Sequence, residues 1–267
     1  MDTISDQIEV LVIDSGSQQR EPLYAAWNRA IGLARGTYLT NANTDDRHRR
    51  DAFERLATAL DRAPQAALAY ADQFVSPVES ETFEDCLVQS RTLRRWPEFA
   101  PDELMLRCIT GSQPMWRRDA HARHGVFDTR YAIAGDYDLW MRFAQTGEFR
   151  HVAEPLGVFY DSPHTLSGAS NRWRTDMESL DIKLRHFPKE PWRGSPTLRA
   201  RLADCIFAMG YHYVEQARDM AKARPFLSAA WRLRPLNLRY AKSLLLRGVL
   251  HSTARLDQPK RPTPNEA

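Results

Sequence analysis

Two groups of carboxylates carry the chemistry this chain could do. The first is Asn43-Thr44-Asp45-Asp46, closing the stretch that begins at Thr37. Thr37 to Ala42 reads as a short strand after Gly36, so the acids sit at its C-terminal end. Adjacent carboxylates repel unless a cation or a donor answers them. Oxygen ligands at a strand end suit Mg²⁺ or Mn²⁺, which often share coordination with phosphate. In open α/β sheets, ligands bind beyond the carboxyl ends of the strands. The plainer alternative is an acidic turn that N-caps the next helix. The second group is Asp136 and Asp138, in the first turn of a helix that opens at Gly135, where the helix dipole favours negative charge.

The elements that must position these acids follow from the pattern. Ile8 to Ile13 is a nearly continuous β-branched run ending in the turn cluster Asp14-Ser15-Gly16-Ser17. It reads as a buried parallel strand. Pro22 to Arg35 has helical spacing, and Gly36 stands where a C-cap glycine belongs. With the acid-bearing strand, the start of the chain predicts β-α-β, one right-handed parallel crossover. Arg50 to Arg62 predicts a second amphipathic helix and Ala66 to Ala71 a third strand. Gln73 to Pro101 reads as irregular, and Ile109 to Arg118 as a loop into a short strand. Asp119 to His124 is a helical turn or two, and Phe149–Val152 and Leu156–Tyr160 are two short strands. Trp140 shares helical spacing with Phe143 and reads as core. From Asn171 onward the chain reads as helices, and Ala221 to Leu246 looks like one tetratricopeptide-like helix-turn-helix unit. Residues 1–170 are therefore expected as one domain, 171–254 as a helical region and 255–267 as a disordered tail.

Composition excludes several classes. Of 267 residues, 43% are hydrophobic, enough for a real core, and no run approaches the roughly eighteen apolar residues of a membrane span. The polar, acidic N-terminus is not a secretory signal. Three widely spaced cysteines argue against a disulfide framework and for a reducing compartment. A net charge of +3, from 37 basic against 34 acidic residues, implies no nucleic-acid partner. The basic clusters Arg47 to Arg50 and Arg91 to Arg95 read as solvated helix faces.

Over residues 8–170 these segments resemble, in order, the family 2 glycosyltransferases of the GT-A fold, an α/β architecture with a mostly parallel sheet. Glu9 to Ser17 looks like the family's second strand and its Asp-x-Gly-Ser turn. Ala26 to Gly36 looks like its Asn-x-Gly/Ala-Ile-x-x-Ala-x-Gly helix, and Asn43 to Asp46 falls at its Asp-x-Asp motif. Ser112 to Arg118, Gly125-Val126-Phe127-Asp128 and Gly135 to Trp140 follow, the last matching Glu-Asp-x-Asp-Leu-Trp. His164 and Ser167 fall where a His-x-x-Ser loop often closes the site.

The resemblance implies a metal-dependent, inverting transfer of sugar from a nucleotide-diphosphate donor, expected as a UDP- or dTDP-sugar, to a glycan or lipid-linked acceptor. It makes Asp136 the general base, Asp45 the holder of Mn²⁺ or Mg²⁺, and His164 a further metal or phosphate ligand. Asp14 and Asn43 would contact ribose or base. Gly111, Ser112 and Asp138 would belong to the acceptor and phosphate loop, with Asp138 also capping its helix. A place near the helix start should keep Asp136 ionised at neutral pH. The expected location is the cytoplasm, with peripheral association at the inner face of the membrane.

Two departures stand out. Nothing before Asp6 supplies the family's first strand and Pro-x-Tyr/Phe-Asn turn, so a shortened nucleotide end is expected. Asn43 and Gly135 replace an Asp and a Glu of the motifs. A non-catalytic GT-A-like scaffold that binds protein through its helical C-terminus is the alternative.

Overall fold

The computed structural model describes residues 8–13, 21–166 and 168–244. The chain divides into two compact units, the first running to Arg193 and the second beginning at Gly194. Asp14, Ser167 and the 255–267 tail lie outside the described residues.

In the first unit, α1 (Leu23–Leu33) leads into β1 (Tyr38–Thr40), and β2 (Arg47–His48) follows the acidic turn. Then come α2 (Ala52–Asp61), β3 (Ala66–Ser76), α3 (Phe83–Val88), β4 (Thr92–Arg94) and α4 (Pro101–Leu106). The unit continues through β5 (Met115–Arg117), α5 (Ala120–His124), α6 (Gly135–Phe143), β6 (Glu148–Tyr160) and α7 (Arg172–His186). Among the described residues the strands form one sheet in the order β1-β5-β3-β6-β2, with β4 on β3.

β3 and β6 are parallel, and β5 runs antiparallel to both β1 and β3. The strands β1, β3 and β6 therefore point the same way, and their C-terminal ends (Thr40, Ser76, Tyr160) lie at one edge of the sheet. β5 begins at that same edge.

The amphipathic face of α2 drives its packing. Ala52, Leu56 and Leu60 bury against Ala66, Ala69, Met115 and Leu156. An aromatic layer formed by Trp27, Trp116, Phe127, Trp140 and Phe143 packs edge to face, with Tyr24 stacked on Phe127. Trp140 is buried in that layer, as its spacing predicts. Such pairs stabilise by about 1 kcal/mol each beyond area burial.

Several expectations are corrected. Ile8 to Ile13 forms no strand, and Val10 and Val12 are 77% and 87% exposed. Apolar content marks a preference for burial, but a strand needs a neighbour to bond, and β1 takes β5 as its partner. The described part of the start is therefore α-β, without the predicted parallel crossover. Arg47-His48 is strand rather than helix face, registering with Val158 and Gly157. The stretch 73–101 is more regular than predicted, since β3 runs to Ser76 and both α3 and β4 follow. Phe149 to Tyr160 is one strand, its register against β3 shifting around Asp72 and Pro155.

In the second unit, α8 (Pro196–Glu215) and α9 (Met220–Leu233) pack together, and residues 238–244 are helical. Gly210 permits the close crossing, because a Cβ there would stand 2.8 Å from Phe226. Tyr240 stacks on Phe207 and donates a hydrogen bond to Asp204.

Candidate functional site

The acidic turn after β1 is built by a chain of side-chain donors. Asn41 Nδ2 donates to the Ser112 carbonyl at 2.7 Å, reaching the loop that enters β5. Asn43 Nδ2 donates to Asp46 Oδ2 at 2.9 Å, and the Tyr160 N–H, at the end of β6, donates to Asp46 Oδ1 at 2.9 Å. Asp46 is only 5% exposed, and burial pushes its carboxyl above the usual range. The backbone of Thr44 and Asp45 is tied from outside, with Ser80 N–H donating to the Asp45 carbonyl at 3.1 Å. Among the described residues no protein group hydrogen-bonds the half-buried Asp45 carboxylate.

The adjacent acids thus differ: Asp46 is an internal strut, and among the described residues the Asp45 carboxylate has no protein partner. One unclaimed carboxylate beside half-exposed polar groups fits Mg²⁺ or Mn²⁺, which keeps several waters and draws further oxygens from phosphate. Among the described residues no cluster of three His, Cys, Asp or Glu side chains is placed to hold a metal. His164 is exposed on its loop, its N–H donating to Ser162 Oγ at 3.3 Å.

Asp136 stands in the first turn of α6. Its Oδ1 accepts from the Tyr137 N–H at 2.8 Å and lies 3.3 Å from the Tyr24 hydroxyl, which donates to the Ile133 carbonyl at 2.6 Å. Burial pushes the Asp136 carboxyl up to about 6, against the pull of the Tyr137 N–H. It therefore remains mostly ionised at neutral pH, but less firmly than a helix start alone implies. Gly135 has a steric reason. A Cβ there would sit 2.6 Å from the Tyr24 ring, so only glycine lets that ring lie against the base of α6.

Asp138, two residues on, is fully buried. It accepts from His186 Nε2 at 2.8 Å and Arg142 Nε at 3.0 Å, with Arg185 Nη1 at 3.5 Å. Burial alone would push it up, and these cationic and imidazole neighbours outweigh that and hold it down. Asp138 fixes α6 to α7. Glu178 of α7 does the same one turn earlier, accepting from the N–H groups of Ala132, Ile133 and Ala134 at 2.9–3.0 Å.

One loop runs from within electrostatic reach of Asp136 to the acidic turn. At its start, the Cys108 thiol is pushed up to about 12, first by burial and then by the charge of Asp136. At its other end, Ser112 holds Asn41. Four residues span at most about 14 Å. Gly111, between them, adopts φ +69°, and a Cβ there would meet Gln73 Oε1 at 2.6 Å and Trp96 Nε1 at 3.0 Å. Sequence reasoning missed Gln73, Trp96 and Tyr160. The tryptophan and Gln73 lie in the stretch read as irregular, and Tyr160 acts through its backbone, which leaves no mark in a sequence.

No family model matches this sequence, and no curated protein matches it. Solved structures do. S. aureus TarS matches with TM-score 0.52 at 13% identity, covering 87% of this chain and 40% of that one. The TarS 1–349 structure matches with TM-score 0.53 at 11% identity, covering 92% and 74%. Mannosyltransferase PcManGT from Pyrobaculum calidifontis, in complex with GDP-Man and Mn²⁺, gives TM-score 0.48 at 19% identity, covering 91% and 62%. The chain thus spans 40% of the full TarS chain. The two TarS matches assign the fold: a mixed α/β GT-A architecture, followed by helices.

Proposed function

We propose that this protein transfers a sugar from a nucleotide-diphosphate donor to a hydroxyl acceptor, with inversion at the anomeric carbon. The observation that carries this reading is the single loop 108–112, whose start feels the charge of Asp136 and whose end accepts a hydrogen bond from Asn41 of the acidic turn. Asp45 would hold Mn²⁺ or Mg²⁺ together with the donor's diphosphate. When bound, that ion neutralises charge on the departing nucleoside diphosphate.

The chain's own residues do the rest. Asn43 and Asp46 hold the turn in shape, so that the Asp45 carboxylate needs no rearrangement to bind. Asp136, ionised above about pH 6, accepts the proton of the acceptor hydroxyl as that oxygen bonds to the anomeric carbon. The glycosidic oxygen leaves with the nucleoside diphosphate from the opposite face, which inverts the configuration. Tyr24 and the Tyr137 N–H orient the carboxylate, leaving Oδ2 for the incoming hydroxyl.

Purified protein incubated with UDP- and dTDP-sugars and Mn²⁺ or Mg²⁺ tests this. Transfer or donor hydrolysis is expected with metal and not with chelator. Absence of both turnover and nucleotide-induced stabilisation across the panel would sink the reading and favour the binding-scaffold alternative.

A further inference from the structure

Three of the six arginines in the two basic clusters have carboxylate partners close by. Arg91 pairs with Glu81 at 2.8 Å, Arg49 with Glu154 at 3.0 Å, and Arg95 reaches Asp72 at 3.9 Å. Arg94 differs. Its guanidinium lies over the Phe159 ring at 5.4 Å and the Trp96 ring at 5.8 Å, and among the described residues no carboxylate answers it. Register fixes its face. Arg94 pairs with Gln73, and Phe159 pairs with Val75, two residues along the same strand. Paired residues share a face of the sheet, so Arg94 and Phe159 lie on the side where Gln73 contacts Gly111 and Ser112.

A further donor at that spot lacks an acceptor. Trp96 Nε1 is buried with no partner, next to Gly111. A buried donor left unpaired costs about 1–3 kcal/mol, so natural structures rarely leave one without a reason. The opposite face of this part of the sheet is ordinary core, with Phe74, Phe83, Cys86 and Val158 packed together. Aromatic flanks also suit an arginine that binds an anion, since they hold the planar fork in one orientation and the guanidinium is weakly hydrated.

We propose that Arg94 and Trp96 Nε1 form an oxyanion subsite that takes a phosphate or carboxylate group of a substrate. The proposal rests on the transferase reading for the word substrate, but the anion subsite itself does not. Two sources share the chemistry: the donor's diphosphate, and an acidic group on the acceptor. Asp72 serves as the positioning residue, because its Oδ1 accepts from the Trp96 N–H at 2.9 Å and from His151 at 2.8 Å, fixing the backbone that carries the indole.

The test is calorimetric titration of the full chain with inorganic phosphate, inorganic pyrophosphate and UDP plus Mn²⁺, each against wild type, Arg94→Ala, Arg94→Lys and Trp96→Phe. Arg94→Ala should weaken phosphate and pyrophosphate about tenfold or more, the scale of one charged hydrogen bond. Arg94→Lys, which keeps charge and stem but loses the fork, should fall between. Trp96→Phe keeps an aromatic ring but loses the N–H with part of the indole, and should weaken the anion several-fold. Parallel loss of UDP binding in Arg94→Ala assigns the subsite to the donor diphosphate, and unchanged UDP binding assigns it to the acceptor. Anion dependence on Arg94 without any UDP binding would uphold the subsite and remove the transferase reading. Equal anion binding by wild type and Arg94→Ala, or no anion binding by wild type, overturns the proposal.

Discussion

The two acidic regions, the turn after β1 and the first turn of α6, are built on the same plan with opposite means. In each, one carboxylate is anchored inside and its near neighbour carries the proposed chemistry. Asp46 is anchored by neutral donors, an amide side chain and a backbone N–H, so burial wins and its carboxyl is raised. Asp138 is anchored by arginines and a histidine, so pairing wins and its carboxyl is lowered. The working acids differ in the same way: Asp45 is half-buried with its carboxylate unclaimed, whereas Asp136 is desolvated toward pH 6. A carboxylate that must hold a cation gains from staying fully ionised. One that must take and release a proton gains from a value near the working pH.

The sharpest way to break this comparison is at Asp136. Asp136→Asn should lower the transfer rate by about 10²–10⁴-fold, the usual range for a positioned base, while sparing nucleotide binding. It should also raise stability. The folded carboxyl is raised, so its contribution is fully present below the unfolded value near 3.8 and is lost as pH rises through about 6. The stability gap between variant and wild type should therefore open as pH rises from about 3.8 to about 6 and stay constant above that, as read by thermal unfolding against pH. Transfer by wild type should rise through the same window.

Next in size is Asp138→Ala, which strands Arg142 and His186 without their buried anion and should cost about 3–5 kcal/mol in denaturant unfolding. Here the folded carboxyl is lowered, so the wild-type contribution is present above about 3.8 and disappears as pH falls below it. Gly135→Ala should follow at about 1–3 kcal/mol, since its Cβ must displace the Tyr24 ring. That variant should shift the pH profile of transfer as well, because Tyr24 moves with respect to Asp136. Smallest in stability is Asp45→Asn, expected within about 0.5 kcal/mol of wild type, with its effect confined to metal-dependent nucleotide binding.

Legibility in the sequence followed locality. α1, α2 and α6 were plain from their spacing, and so was the existence of β1 with acids at its end. The run Ile8 to Ile13 carried the strongest strand pattern and yet lies outside the sheet, because pairing is decided by neighbours and not by a run's own composition. β4 was hidden by its three-residue length, and β6 by Pro155, around which the register shifts instead of ending. The acid pair was visible, but which of Asp45 and Asp46 is anchored depends on Tyr160, 114 residues away from Asp46. Gly135 read as the loss of a motif glutamate, and its steric need came from Tyr24 on a different helix.

The central claim is that Asp45 and Asp136 serve one reaction from the two ends of the 108–112 loop, one holding and the other accepting a proton. Titration of UDP with Mn²⁺ into wild type, Asp45→Asn and Asp136→Asn tests it most directly. The account predicts binding heat from wild type and Asp136→Asn, and a loss of at least tenfold in affinity for Asp45→Asn. Undiminished binding by Asp45→Asn, or loss of binding in Asp136→Asn equal to that in Asp45→Asn, would contradict it.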